Sequence, residues 1–241
     1  MLYFSETQTT QKVALALQEQ LSLPDKAVVA IELVEPYTGN MMETMQRAQR
    51  EKQPALKPLK AKIADYDIIF LGYPIWSGTY ALPIASLLKQ EDFAGKTIVP
   101  FCTFGSGGLE SSMADLKKAL PKATIKPGYG VRQARVASAT KELDRFLKEN
   151  GYVAGKVKAL PAYSAQQPVT DAEKAIFDAA CSSYQFPLGT PQTFGKRTTD
   201  DSIDYEFKVK SQGFGGGGES TIYVTMGKEA GAKPEFTRVV R

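Results

Sequence analysis

The clearest pattern along the chain is an unbroken apolar run, Ile68, Ile69, Phe70 and Leu71, which predicts a strand buried on both faces. Gly72 and Pro74 are expected to break it into a loop over 73–80 that carries Trp76, and Pro83 sits where a helix to about Lys89 begins. Similar segments flank it. Residues 2–4 read as the end of a strand, followed by a polar turn and an amphipathic helix through about Gln20. Residues 27–33 form a second strand, 41–51 a helix, 60–64 a short helix and 97–101 another short buried strand. Residues 111–120 then predict a helix closed by Pro121, and 124–133 a last strand interrupted by Gly128 and Gly130. Leu143, Phe146 and Leu147 share one face of a helix over 139–149.

Strands alternating with helices over 1–152 predict an α/β fold, a doubly wound parallel sheet of five strands. The pattern then changes. Residues 153–168 contain two prolines and short polar stretches and read as a linker. Residues 169–241 predict a smaller C-terminal α+β module. Its helix starts near Thr170, with Ile176, Phe177, Ala180 and Cys181 on one face, and strict alternation over 203–209 and 221–226 predicts two half-buried antiparallel strands. Residues 236–240 supply a third strand, and the glycine-rich segment 213–218 is expected to be a mobile hairpin loop.

Composition narrows the chemistry. Among 241 residues there is no histidine, which removes Ser-His and Cys-His nucleophile pairs and His-ligated zinc. The two cysteines, Cys102 and Cys181, lie in different elements without metal-ligand spacing and are expected to be buried thiols. Net charge is +4, but Lys and Arg are scattered, so no nucleic-acid partner is expected. No apolar run approaches the ~20 residues of a membrane span. The expected location is cytoplasmic. Because the first strand is shorter than the usual ~5–6 residues, a removed upstream segment, a targeting one included, belongs to the same expectation.

Three loops that follow strands project from one carboxyl edge of such a sheet, where open α/β proteins bind ligands. Residues 5–10 put Ser5, Thr7, Thr9 and Thr10 at a helix N-terminus, suited to a phosphate, or to one N-cap within a solvated loop. Trp76 offers an aromatic wall, or a plug in a hydrophobic gap. Residues 103–108 (Thr-Phe-Gly-Ser-Gly-Gly) form a backbone platform, or a flexible strand-to-helix turn.

Leu-Tyr-Phe-Ser-Glu-Thr-Gln-Thr-Thr, Gly-Tyr-Pro-Ile-Trp and Thr-Phe-Gly-Ser-Gly-Gly, in that order, make residues 1 to about 150 resemble a flavodoxin-family domain. The resemblance implies sheet order 2-1-3-4-5 and FMN at the sheet edge. Its phosphate would be held over Ser5, Glu6, Thr7, Gln8, Thr9 and Thr10. Pro74, Ile75, Trp76, Ser77 and Gly78 would flank the isoalloxazine ring, and Thr103, Phe104, Gly105, Ser106, Gly107 and Gly108 would line its other side. Gln8 stands where the family carries glycine, and a position needing φ > 0 would cost glutamine about 1 kcal/mol or more. Glu6 adds negative charge beside the proposed anion site. The function implied is electron transfer, or NAD(P)H-dependent reduction of a small acceptor such as a quinone. Its partner would be a redox protein or that acceptor, and homo-oligomers stay open. The alternative is a flavodoxin-fold binding or scaffold protein that has lost FMN and acts through its C-terminal module.

Overall fold

A run apolar at every position is expected to bury both faces; Ile69, Phe70 and Leu71 do so, while Ile68 at the start of the strand is 51% exposed. A computed structural model describes residues 1–211 and 218–241. The chain folds as two compact units, Met1–Val157 and Lys158–Arg241. In the first, strands β1 (Leu2–Tyr3), β2 (Val29–Ala30), β3 (Ile68–Trp76), β4 (Thr79–Tyr80), β5 (Thr97–Phe104), β6 (Thr124–Ile125) and β7 (Tyr129–Arg132) join helices α1 (Thr9–Gln20), α2 (Met41–Arg50), α3 (Leu82–Gln90), α4 (Leu109–Ala119) and α5 (Ala139–Glu149). The parallel sheet runs β2-β1-β3-β5-β6, with β7 also pairing β5, so β6 and β7 together occupy the fifth position of the expected order.

Alternate residues of each central strand enter different cores. Ile69, Leu71, Tyr73, Ile98, Cys102 and Phe104 pack with Ile84 and Leu87 of α3 and Leu109 and Leu116 of α4. Phe70, Val99 and Phe101 face the other way, onto Val13, Ala14 and Leu17 of α1 and Leu143 and Leu147 of α5. A sheet covered on both faces this way is doubly wound, and its edge loops are left to carry polar work.

The expected break at Gly72 and Pro74 does not occur: β3 continues through both to Trp76. Gly72 is in the strand because the Phe101 ring of β5 lies across it, and a Cβ there would sit 2.1 Å from Phe101 Cζ. The Gly72 carbonyl accepts from the Phe4 N–H, so Pro74, two residues on, faces the same side, past the end of β1, where no ladder partner needs its missing N–H. Residues 73–80 are therefore a strand end and a tight hairpin rather than a loop. The second strand is likewise shorter than expected, two residues within 27–33, and 60–64 holds only part of a 3₁₀ turn at Ile63–Asp65.

The second unit places α6 (Asp171–Cys181) against an antiparallel sheet of β8 (Gln167–Pro168), β9 (Thr190–Thr198), β10 (Ser202–Ser211), β11 (Gly218–Gly227) and β12 (Glu235–Val240), in the order β12-β11-β10-β9-β8. Phe177, Phe194, Tyr205, Phe207, Ile222, Val224 and Phe236 form its core. Part of the expected linker belongs to this unit: besides β8, the Ser164 N–H donates to the Lys196 carbonyl and Tyr163 packs on Tyr223. Strand β9 was unmarked by alternation, since Pro191 and Gly195 interrupt it and Phe194 is its only large apolar residue. Apart from Gly218, the segment 213–218 lies outside the described residues. The two cysteines form no disulfide; Cys102 is buried as expected, whereas Cys181, at the end of α6, is only half-buried.

Candidate functional site at the carboxyl edge of the parallel sheet

Strand β1 is followed by buried Phe4, and residues 5–8 then turn into α1. The turn needs a left-handed residue: Gln8, the N-cap, has φ 60° and ψ 0° and makes no side-chain capping bond. Glutamine thus stands where glycine would be unstrained, at a cost of about 1–2 kcal/mol. Capping passes to Ser5, whose Oγ accepts from the Gln11 N–H at 3.2 Å. The Thr7 and Thr9 hydroxyls lie 3.0 Å apart on the exposed side, and the first turn of α1 holds no acidic residue. Thr10 turns inward instead. Its hydroxyl, 1% exposed, is 2.8 Å from that of Thr103, at the end of β5.

Glu6 does not face these hydroxyls. Its carboxylate accepts from the Gly39 N–H at 3.0 Å, which ties the turn to the loop after β2. Burial raises its pKa, opposed by that bond and by nearby Arg47.

The second wall is the hairpin. Ile75 pairs with Tyr80 and Trp76 with Thr79, around Ser77 (φ 50°) and Gly78 (φ 84°). Two residues at φ > 0 are what a two-residue type I′ turn requires. Trp76 is half-buried, its indole meeting Phe4 at 5.9 Å and 88° and Tyr37 at 5.3 Å and 75°, both edge-on. Below it, Tyr73 is fully buried, its hydroxyl 3.2 Å from Ser112 Oγ, and burial drives its pKa up.

The third wall is shorter than expected, because Thr103 and Phe104 are buried strand residues of β5. The platform proper is residues 105–108. It ends at Gly108, which caps α4 at φ 109° so close to Ile75 that a Cβ would lie 2.8 Å from Cγ2. Ser111 Oγ donates to the Gly78 carbonyl at 2.5 Å, fastening the hairpin tip to α4. Buried Arg132, at the end of β7, donates from Nε to the Gly105 carbonyl at 2.8 Å.

The three predicted segments are therefore fastened together: first and third directly through Thr10 and Thr103, second and third through Ile75 against Gly108 and Gly78 on Ser111 of α4, and the second through Trp76 to Phe4, the residue before the first. Sequence reasoning missed Tyr37, Ser111 and Arg132. Ser111 and Arg132 lie on elements that were expected, but nothing local says that they turn to this edge. Tyr37 precedes a Thr-Gly-Asn turn, the one local hint of a structured loop there.

A family model described as flavodoxin matches residues 1–149, more than half of the chain. The chain belongs to the flavodoxin family. Its flavodoxin-family unit is similar in structure to a candidate flavoprotein from Bacteroides uniformis, at 26% identity and a TM-score of 0.53 over 61% of this chain and 95% of that one. A candidate flavoprotein from Bacteroides eggerthii matches at 27% identity and a TM-score of 0.47, over 58% and 94% of the two chains. A flavoprotein from Lactobacillus acidophilus in complex with FMN matches at 19% and 0.46, over 57% and 94%. No curated protein matches the chain. Among the described residues no cluster of three or more His, Cys, Asp or Glu side chains is arranged to hold a metal, and no helix is long and apolar enough to cross a membrane.

Proposed function

We propose that this protein binds FMN at the carboxyl edge of its flavodoxin-family sheet and works in redox chemistry. The observation that carries the reading is the convergence of the three loops through buried or close contacts, on the edge where a flavodoxin-family unit would place a ligand.

The residues present fit the group. Gln8 already holds the left-handed backbone that leaves α1 open at its N-terminus, and the paired Thr7 and Thr9 hydroxyls stand there as phosphate donors beside helix N–H groups. Trp76 would flank the ring, and 105–108 would face it with backbone. Bound FMN would supply the electron-accepting and electron-donating centre. The chain's part is to hold it, keep water from its face and set the charge around it. The second unit has ten basic and ten acidic residues, so the net +4 resides in the first. A basic flavin unit favours anionic small partners such as NAD(P)H. That supports NAD(P)H-dependent reduction of a small acceptor, such as a quinone, over carriage of electrons between proteins.

A second reading, a flavodoxin-fold scaffold without FMN, is favoured by the hydroxyls of Ser5 and Thr10, which are engaged internally, and by the strain at Gln8. Colour separates the two. Purified protein with flavin absorption, or apoprotein that gains it on FMN titration and is then bleached by NADH or NADPH, supports the first. Protein that stays colourless at saturating FMN removes it.

A further inference from the structure

The loop of residues 34–40 lies outside the three segments that the family resemblance assigns to the ligand, yet it is among the most heavily fastened pieces of this edge. Arg47 of α2 donates from Nη1 to the carbonyls of Glu35 (2.8 Å) and Pro36 (3.2 Å), while its Nε pairs with Glu51 at 2.7 Å. The same guanidinium lies 4.8 Å over the Tyr37 ring. Asn40 caps α2 by accepting from the Met42 and Glu43 N–H groups, and Thr38 donates to Glu43 at 2.7 Å. From the phosphate turn, Glu6 accepts from Gly39. Tyr37 emerges from this frame with one ring face under Arg47 and its ring against Trp76 and Phe4.

An indole at the end of a two-residue hairpin has little else to hold its angle. Each edge-to-face aromatic contact is directional, because the positive ring edge seeks the negative face of its neighbour. Phe4 and Tyr37 supply two such contacts, at 88° and 75°. The Tyr37 hydroxyl is buried and has no hydrogen-bond partner among the described residues, so its ring, rather than its polar tip, is what the loop delivers.

We propose that the 34–40 loop is a positioning element of the flavin site: Glu6 latches it, and Tyr37 sets the orientation in which Trp76 meets the flavin. Glu6 thereby acts at the ring end of the site and not at the phosphate. The inference rests on the flavin reading above.

Trp76 is the only tryptophan, so its emission reports this contact in the apoprotein without any cofactor. The experiment measures emission and FMN dissociation constant for the full chain and for Y37A, Y37F, E6A and E6Q, with thermal unfolding as a fold control. Y37A is expected to red-shift Trp76 emission and weaken FMN about tenfold, the scale of two lost aromatic contacts. Y37F, which keeps the ring, should stay within about twofold of wild type. E6A should shift emission in the same sense and weaken FMN about threefold, and E6Q, which keeps a carbonyl acceptor for Gly39, should restore both. Wild-type emission and affinity in Y37A and E6A, with FMN bound normally by the parent, would overturn the positioning role and leave the flavin reading standing. A parent chain that binds no FMN would sink both.

Discussion

The two units of this chain obey the local rules of folding to different degrees. In the second, β10 alternates strictly: Ile203, Tyr205, Phe207 and Val209 turn to α6, while Asp204, Glu206, Lys208 and Lys210 turn away. Its outward polar groups are matched, Asp204 accepting from Arg197, Ser202 and Thr225. Among the described residues its left-handed positions are glycines, Gly189 and Gly231. The first unit breaks those rules. Gln8, Ser22 and Ser77 hold left-handed backbone without being glycine, and among the described residues the buried side-chain hydroxyls without a partner, at Tyr37, Thr44 and Ser86, all belong to that unit. Each such feature costs of order 1–3 kcal/mol and persists only where the surroundings impose it. Gln8, Ser77 and Tyr37 fall where the three loops converge, while Ser22 lies just past the C-terminal end of α1.

That contrast can be broken most sharply in the second unit. Phe207 is fully buried among Phe177, Phe194 and Tyr205. Phe207→Ala is expected to cost about 3–5 kcal/mol in urea unfolding of that unit, while FMN titration of the same protein stays at the parent value. A lost flavin site would show that the two units are not separable in function.

The Thr10 and Thr103 pair comes next. Either single change to Val leaves one buried hydroxyl without its partner and should cost about 1–3 kcal/mol, whereas the double variant should be close to neutral. A double-mutant cycle in thermal unfolding reads the coupling directly. Additive costs would mean that the two hydroxyls do not hold the first and third loops together.

At the ring, Trp76→Ala should weaken FMN by about 1–3 kcal/mol, roughly fivefold to 150-fold, followed by flavin fluorescence quenching. An unchanged constant would return Trp76 to a packing role. Gln8→Gly is smaller: relief of the left-handed strain should raise stability by up to about 1 kcal/mol, offset in part by the greater freedom of glycine in the unfolded chain. FMN should bind it more tightly than it binds the parent.

The smallest effect concerns a rim charge. Glu32 accepts from Lys60 at 2.8 Å and Lys57 at 3.0 Å, and these bonds hold its pKa at about 2, below its ordinary 4.5. A depressed carboxylate stabilises the fold above 4.5 and loses that contribution as pH falls towards 2. Glu32→Gln should flatten acid unfolding in that window only slightly and lower the melting temperature at pH 7 by a matching small amount, because the pair is solvent-screened.

The chemistry of the site was legible in part. Runs such as 68–71 and 97–101 can be buried only between two helix layers, so the doubly wound sheet and its order followed from pattern and resemblance together. Hydroxyls at a helix start, a lone tryptophan beside a strand and the glycines of 105–108 pointed to one edge, where the structure brings their segments together. Less visible was direction. Thr10 and Thr103 look like the other hydroxyls of their segments but face inward, because position 10 lies on the same face of α1 as Val13, Ala14 and Leu17 and position 103 still belongs to β5. Glu6 reads in the sequence as a charge beside the proposed anion site, and nothing local shows that its carboxylate accepts from Gly39, 33 residues away.

The chain alone determined its apolar periods, its breakpoints and the residue types available for binding, because these depend on neighbours within a few positions. Its tertiary structure settled which hydroxyls stay exposed and which are buried against each other, that β3 passes through Gly72 and Pro74, and that Tyr37 and Arg132 belong to the edge. Those outcomes depend on contacts between residues distant in sequence, such as Phe101 over Gly72, Thr103 beside Thr10 and Tyr37 against Trp76. Local pattern holds no record of such pairs, since each is made only when separate strands are brought into register.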